Sequence, residues 1–221
     1  MLMYSIVERV ERLGELDNTI VVVAGDHGEN LGDNGEIGKG MPWHASVSTP
    51  LFISGPGMAQ GRVYHGPVTT LDLGGTWLDY GGAFGALKPE MTTTSLRPFL
   101  QGHDDNTFLA NNGVGARQLK YRPHVSSGYS GNNSQGGHWR MVVKELPTSP
   151  EDPTITSYKL ICCGGNGQPC KGTPKGAPVF KPPFTLYLYD TIRDPDDLLP
   201  IMDRPDLGEE LLPLLPPGWC R

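Results

Sequence analysis

The sequence predicts an α/β fold that passes into a small antiparallel β subdomain with a C-terminal helix. Three observations carry this. Apolar residues at Met3, Ile6, Val7, Val10 and Leu13 recur at helical spacing, with charges on the other face. A continuous β-branched run, Thr19 to Ala24, follows at once and suits a strand covered on both faces. Beyond residue 138, short apolar segments are separated by turn-rich stretches, as in antiparallel sheets.

The elements follow in order. Gly14 sits near the end of the first helix, and Leu16-Asp17-Asn18 makes the turn into the strand. Leu51-Phe52-Ile53 is a second short strand, bounded by Pro50 and by Gly55-Pro56-Gly57. Val68 to Tyr80 reads as a helix opened by Thr69-Thr70, with Leu71, Trp77 and Leu78 as its apolar positions. Leu96 to Leu100 is a short element that stops at Gly102. Residues 103–137 are polar and rich in Gly and Asn, which reads as a loop-rich connection with room for one strand. Trp139 to Lys144, Ser157 to Cys162 and Phe184 to Tyr189 read as strands, and Leu207 to Leu215 as the closing helix. The resulting division is 1–102, 103–137 and 138–221, with no internal repeat.

Composition removes several classes of function. A chain of 221 residues can bury a real core, as one domain or one domain plus an appendage. The net charge of -6 gives no basic footprint for nucleic acid or anionic lipid. No stretch approaches the ~18–20 consecutive apolar residues of a membrane segment. Glu8, Arg9, Glu11 and Arg12 make the first residues unlike a signal peptide. The four cysteines, Cys162, Cys163, Cys170 and Cys220, lack zinc-site spacing and read as disulfides or buried thiols, which leaves the compartment open.

The stretch "VVVAGDHGENLGDNGEIGKG", positions 21–40, raises the chemical question. A strand built for burial releases Asp26 and His27 side by side, and ligands of open α/β sheets bind beyond the carboxyl ends of strands. A carboxylate is a hard ligand for a divalent cation, and a neutral imidazole is a second donor. Gly25 and Gly28 free the backbone to turn both toward one ion. Taken by themselves these residues better fit a helix cap, Asp26, and a solvated turn residue, His27. Lys39 alone reads as a surface lysine, and the glycines do not form a phosphate-binding P-loop.

The order of the pieces is more specific. "NTIVVVAGDHGENLGDNGEIGKGMPWHASVSTPLFISGPG" resembles the sulfatase family of the alkaline phosphatase-like superfamily. Asn18-Thr19, Asp26-His27-Gly28-Glu29, Leu31-Gly32-Asp33, Lys39-Gly40, Ser46, Pro50-Leu51 and Gly55-Pro56-Gly57 fall in register with its pattern. "VTTLDLGGTWLDYGG", "SLRPFLQG" and "LYLYDTIRDPDDLLPIMDRPDL" continue the likeness. It covers 1–102 well and about 138–219 more loosely. The resemblance implies a partial alkaline phosphatase-like sheet sandwiched by helices, followed by the antiparallel subdomain.

Carried over by residue, the resemblance implies that Asp26 and His27 bind a metal and that Lys39 contacts the sulfate group and the nucleophile. The metal it implies is Ca2+, with Mn2+ or Mg2+ as alternatives, and the substrate is a sulfate-ester small molecule or a sulfated glycan. A secretory, lysosomal or extracellular setting goes with it. His44 and Ser48 stand where the family has Glu and Arg, so His44 is a candidate substrate contact as well as a structural histidine.

The family's nucleophile is a formylglycine made from Cys or Ser in a C/S-x-P-S-R stretch, expected upstream and absent from this chain. Asp104-Asp105 and Asp196-Asp197 have the wrong order and context for the family's earlier acidic ligands. The chain therefore reads as a carboxyl-terminal half of a sulfatase, inactive alone. It is expected to be a fragment, a partner of a separate N-terminal half, or a degenerate binding module. Phosphate or phosphonate ester hydrolysis and phosphoethanolamine transfer are the rival chemistries within the superfamily.

Overall fold

The computed structural model describes residues 2–64, 67–88, 91–103, 124–130, 138–147, 155–164, 185–217 and 220. Most of the predicted connection at 103–137, the 165–184 insertion and Cys170 lie outside them. The chain forms two compact units, 1–26 with 50–122 and 27–49 with 123–221. Residues 27–49 thus belong with the carboxyl-terminal sheet, which sequence order does not reveal.

The first unit opens with α1 (Leu2–Arg12), whose Arg12 pairs with Glu8 one turn back at 2.7 Å. Strand β1 (Val21–Ala24) pairs antiparallel with β4 (Leu51–Ser54), Val22 opposite Ile53. The continuous apolar run predicts cover on both faces. Among the described residues the sheet has only these two strands, so Val21, Val22 and Val23 are half-buried and Phe52 is 67% exposed.

Helix α3 (Leu71–Tyr80) corrects the predicted apolar face. Leu71 and Trp77 are exposed, and the buried residues are Asp72, Gly75 and Thr76. They receive the segment that leads into α4 (Arg97–Leu100). Asp72 Oδ2 accepts the Thr69 N–H at 2.9 Å and Oδ1 accepts the Thr94 N–H at 3.0 Å. Thr76 Oγ1 accepts the Leu96 N–H at 2.9 Å. Polar groups bury here because each has a partner, which periodicity of apolar residues cannot signal.

The second unit is built on a four-stranded antiparallel sheet in the order β5 (His124–Ser130), β6 (His138–Pro147), β7 (Ile155–Cys163) and β8 (Thr185–Asp190). Successive residues face opposite sides. Val142, Leu160, Cys162, Leu186 and Leu188 pack with Leu207, Leu211 and Leu215 of the closing helix α5 (Pro205–Leu211) and the turn after it. Trp139, Met141, Ile161, Cys163, Tyr187 and Tyr189 pack on the other face with Met41 and Trp43. Both faces are therefore covered, which explains the near-continuous apolar runs of β7 and β8. A disulfide joins Cys162 to Cys220, and no described cysteine is a free thiol. No helix among the described residues is long and apolar enough to cross a membrane.

Candidate functional site

Asp26 follows β1 in the first unit and is exposed. The Gly25 N–H before it donates to the Pro50 carbonyl at 3.3 Å, so the β1–β4 pairing continues to its neighbour.

The remaining candidates lie in the second unit. His27 and Lys39 are exposed and meet: Lys39 Nζ is 2.6 Å from His27 Nε2, and His27 Nδ1 is 2.8 Å from the Gly28 carbonyl oxygen. Between them the chain makes a small hairpin, β2 (Asn30–Leu31) with β3 (Ile37–Gly38). Buried Asn30 closes it by donating from Nδ2 to the Gly38 carbonyl at 2.9 Å. Gly32, Asn34 and Gly35 all have positive φ, so the turn needs residues that tolerate the left-handed region.

The short helix α2 (His44–Val47) fastens both ends of this loop. The Ser46 carbonyl accepts the Gly28 N–H at 2.9 Å, and Ser46 Oγ accepts the Gly40 N–H at 3.1 Å. A side chain at Gly28 would run into the carbonyl oxygens of Ala45 and Ser48, the latter at 2.6 Å. Trp139 Nε1 donates to the Gly40 carbonyl at 2.8 Å. Trp43 is fully buried and meets Tyr187 and Tyr189 edge-on, with ring centroids 6.1 and 6.4 Å away.

His44 is half-buried at the start of α2, and its backbone N–H donates to Asp197 Oδ2 at 2.7 Å. The same oxygen pairs with the ammonium of Lys159, and both side chains are buried. Burial pushes the His44 imidazole below its ordinary range, and the Lys159 charge adds to that, against Asp197 and Asp196. Burial likewise lowers Lys159, opposed by Asp197, and raises Tyr189, reinforced by Asp197. This charged cluster is not foreseen from sequence. Its one signal is Lys159 inside an otherwise uncharged strand, since a buried lysine requires an acid.

Among the described residues no group of three or more His, Cys, Asp or Glu side chains is arranged to hold a metal ion. A calcium ion takes about six to eight oxygen ligands. Asp26 and His27 by themselves do not fit one.

The family model described as "Sulfatase" matches residues 1–83, the segment that carries Asp26, His27 and Lys39. Residues 1–83 are similar to the sulfatase family. The extracellular sulfatase SULF-1 homolog of Drosophila melanogaster is 46% identical over 81 residues, which are 34% of this chain and 7% of that protein. Human N-acetylglucosamine-6-sulfatase is 32% identical over 111 residues, 50% of this chain and 20% of that protein. The chain thus covers a small part of the length of the sulfatases it matches.

The fold likeness extends further. A protein solved in complex with its substrate D-glucosamine-2-N,6-O-disulfate matches with a TM-score of 0.68 at 20% identity, over 95% of this chain and 36% of that one. The α/β fold with its antiparallel carboxyl-terminal sheet is alkaline phosphatase-like.

Proposed function

We propose that this chain supplies part of the active site of a sulfuric ester hydrolase acting on a sulfated glycan. The observation that carries the reading is the Lys39–His27 pair, held in hydrogen-bond contact by the sulfatase-like segment. A lysine ammonium is a compact donor suited to the developing charge on a sulfuryl oxygen. In this reading Lys39 binds the sulfate group, and His44 lines the approach of the sugar. The attacking formylglycine comes from outside residues 1–221. Asp26 is a donor to a divalent cation, calcium in the first instance, and His27 becomes a second donor where Lys39 leaves its Nε2; the remaining ligands come from other residues.

The glycan class rests on the relatives. One is named for N-acetylglucosamine-6-sulfate, and the matched complex holds a sulfated glucosamine. The name of the Drosophila relative and the Cys162–Cys220 disulfide both favour an extracellular, lysosomal or secretory setting.

The test is sulfate release from N-acetylglucosamine-6-sulfate and from an aryl sulfate by the native protein that carries these residues, with the matching phosphate esters in parallel. Lys39→Ala should lower kcat/KM on sulfate esters by roughly 10²–10³-fold. Turnover of phosphate esters alone would move the reading to the rival chemistry. No turnover of either would leave the non-catalytic module.

A further inference from the structure

We infer that Asp197, paired with Lys159, is the positioning residue for the His27–Lys39 pair and acts on it through α2. The argument runs outward from the buried charge. Asp197 is 1% exposed and Lys159 2%, so neither charge is solvated by water. A pair in such surroundings persists only where the carboxylate is held by further donors. One of these is the His44 N–H, on the same Oδ2 that meets Lys159. Oδ1 has no hydrogen-bond partner among the described residues, so Oδ2 alone fixes the direction of the carboxylate.

Asp197 also adopts φ of 56°, which few residues other than glycine occupy. Such a conformation persists where the surrounding contacts over-determine it. Trp43, at the cap position of α2, makes no side-chain cap bond, so Asp197 replaces a local cap from 153 residues away.

From α2 the restraint passes to the loop. Ser46 takes the Gly28 N–H with its carbonyl and the Gly40 N–H with its hydroxyl. Those glycines are the chain neighbours of His27 and Lys39. The 2.6 Å contact between His27 and Lys39 thus hangs from Ser46 at both glycines and from Trp139 at Gly40, and the helical turn that carries Ser46 is pinned at its first N–H by Asp197. The catalytic meaning of this placement rests on the function proposed above, whereas the placement itself does not.

The experiment is residue-resolved amide hydrogen exchange and side-chain ¹⁵N NMR on the full chain. Asp197→Asn is the direct variant, but it strands the Lys159 charge and invites global unfolding. The double variant Lys159→Met with Asp197→Leu removes the clamp and leaves an apolar core of similar volume. It should speed exchange at Gly28, Gly40 and Ser46 by about tenfold or more, with Leu160 and Ile161 changing much less. The ¹⁵N signature of His27 should shift as Lys39 leaves Nε2.

Unchanged protection at Gly28 and Gly40 would overturn the inference. So would an equal loss of protection in β7, or an unmoved His27 signature, since a merely stabilising pair would give either result. None of these readouts needs turnover. Absence of sulfatase activity would therefore count against the proposed function and leave this inference standing.

Discussion

Lys39 reaches back across the loop and sets its Nζ 2.6 Å from His27 Nε2, while His27 Nδ1 meets the Gly28 carbonyl at 2.8 Å. A lysine ammonium has only donors, so Nε2 must accept, and the ring proton sits on Nδ1. The two contacts therefore match the Nδ1–H tautomer of His27. Side-chain ¹⁵N spectra should show that form predominating, and Lys39→Met should return the ring to a mixture. A predominant Nε2–H form in the unaltered chain would contradict this geometry.

Adjacent glycines of α3 should respond in opposite directions to alanine. A Cβ on Gly74 meets nothing, and the residue lies exposed inside a helix, so Gly74→Ala should gain about 0.5–1 kcal/mol. A Cβ on Gly75 would lie 2.5 Å from the Thr94 carbonyl oxygen, and that backbone is pinned by Asp72. Gly75→Ala should cost about 1–3 kcal/mol. Denaturant midpoints of the two variants check the pair, and equal shifts would refute the packing described.

The Cys162–Cys220 bridge closes a loop of sequence separation 58, for which chain entropy gives roughly 4 kcal/mol. Both residues are fully buried beside Leu186 and Leu211. Cys220→Ala should lower the thermal midpoint of the carboxyl-terminal sheet markedly. Thermal melts with and without reductant provide the measurement, and coincident curves would count against it.

His44 makes stability depend on pH in one direction. Its folded pKa lies below 6.5, chiefly through burial. As pH falls below 6.5, the unfolded chain takes up a proton that the folded chain refuses, so stability is lost on acidification until folded His44 itself protonates. His44→Gln should flatten the change in thermal midpoint between about pH 7 and about pH 5. An unaltered slope would show that other groups carry it.

Much of this molecule is legible in the sequence because its strands follow simple patterns. Residues 139–144, 157–162 and 184–189 announce themselves by apolar runs between turns, and β6, β7 and β8 lie there with ends displaced by a few residues. The closing helix is likewise placed, although it begins at Pro205 and tightens after Leu211. The facing of helix α3 is not legible in the sequence because its buried side is held by hydrogen bonds of Asp72 and Thr76. Asp197 looked like an acid in the wrong context for a metal. Its partners, Lys159 and the His44 N–H, lie 38 and 153 residues away, and no local pattern encodes such distances.

The two ends of the 28–40 loop are fixed at Ser46, yet the tip between them is held chiefly by its own turn. Leu31 and Ile37 face each other at 83% and 81% exposure, and a Cβ on Gly32 or Gly35 would meet nothing. Exchanges at 32–35 that keep the left-handed backbone leave Gly28 and Gly40 in place. The tip is therefore where this scaffold can diversify while the His27–Lys39 pair stays in register.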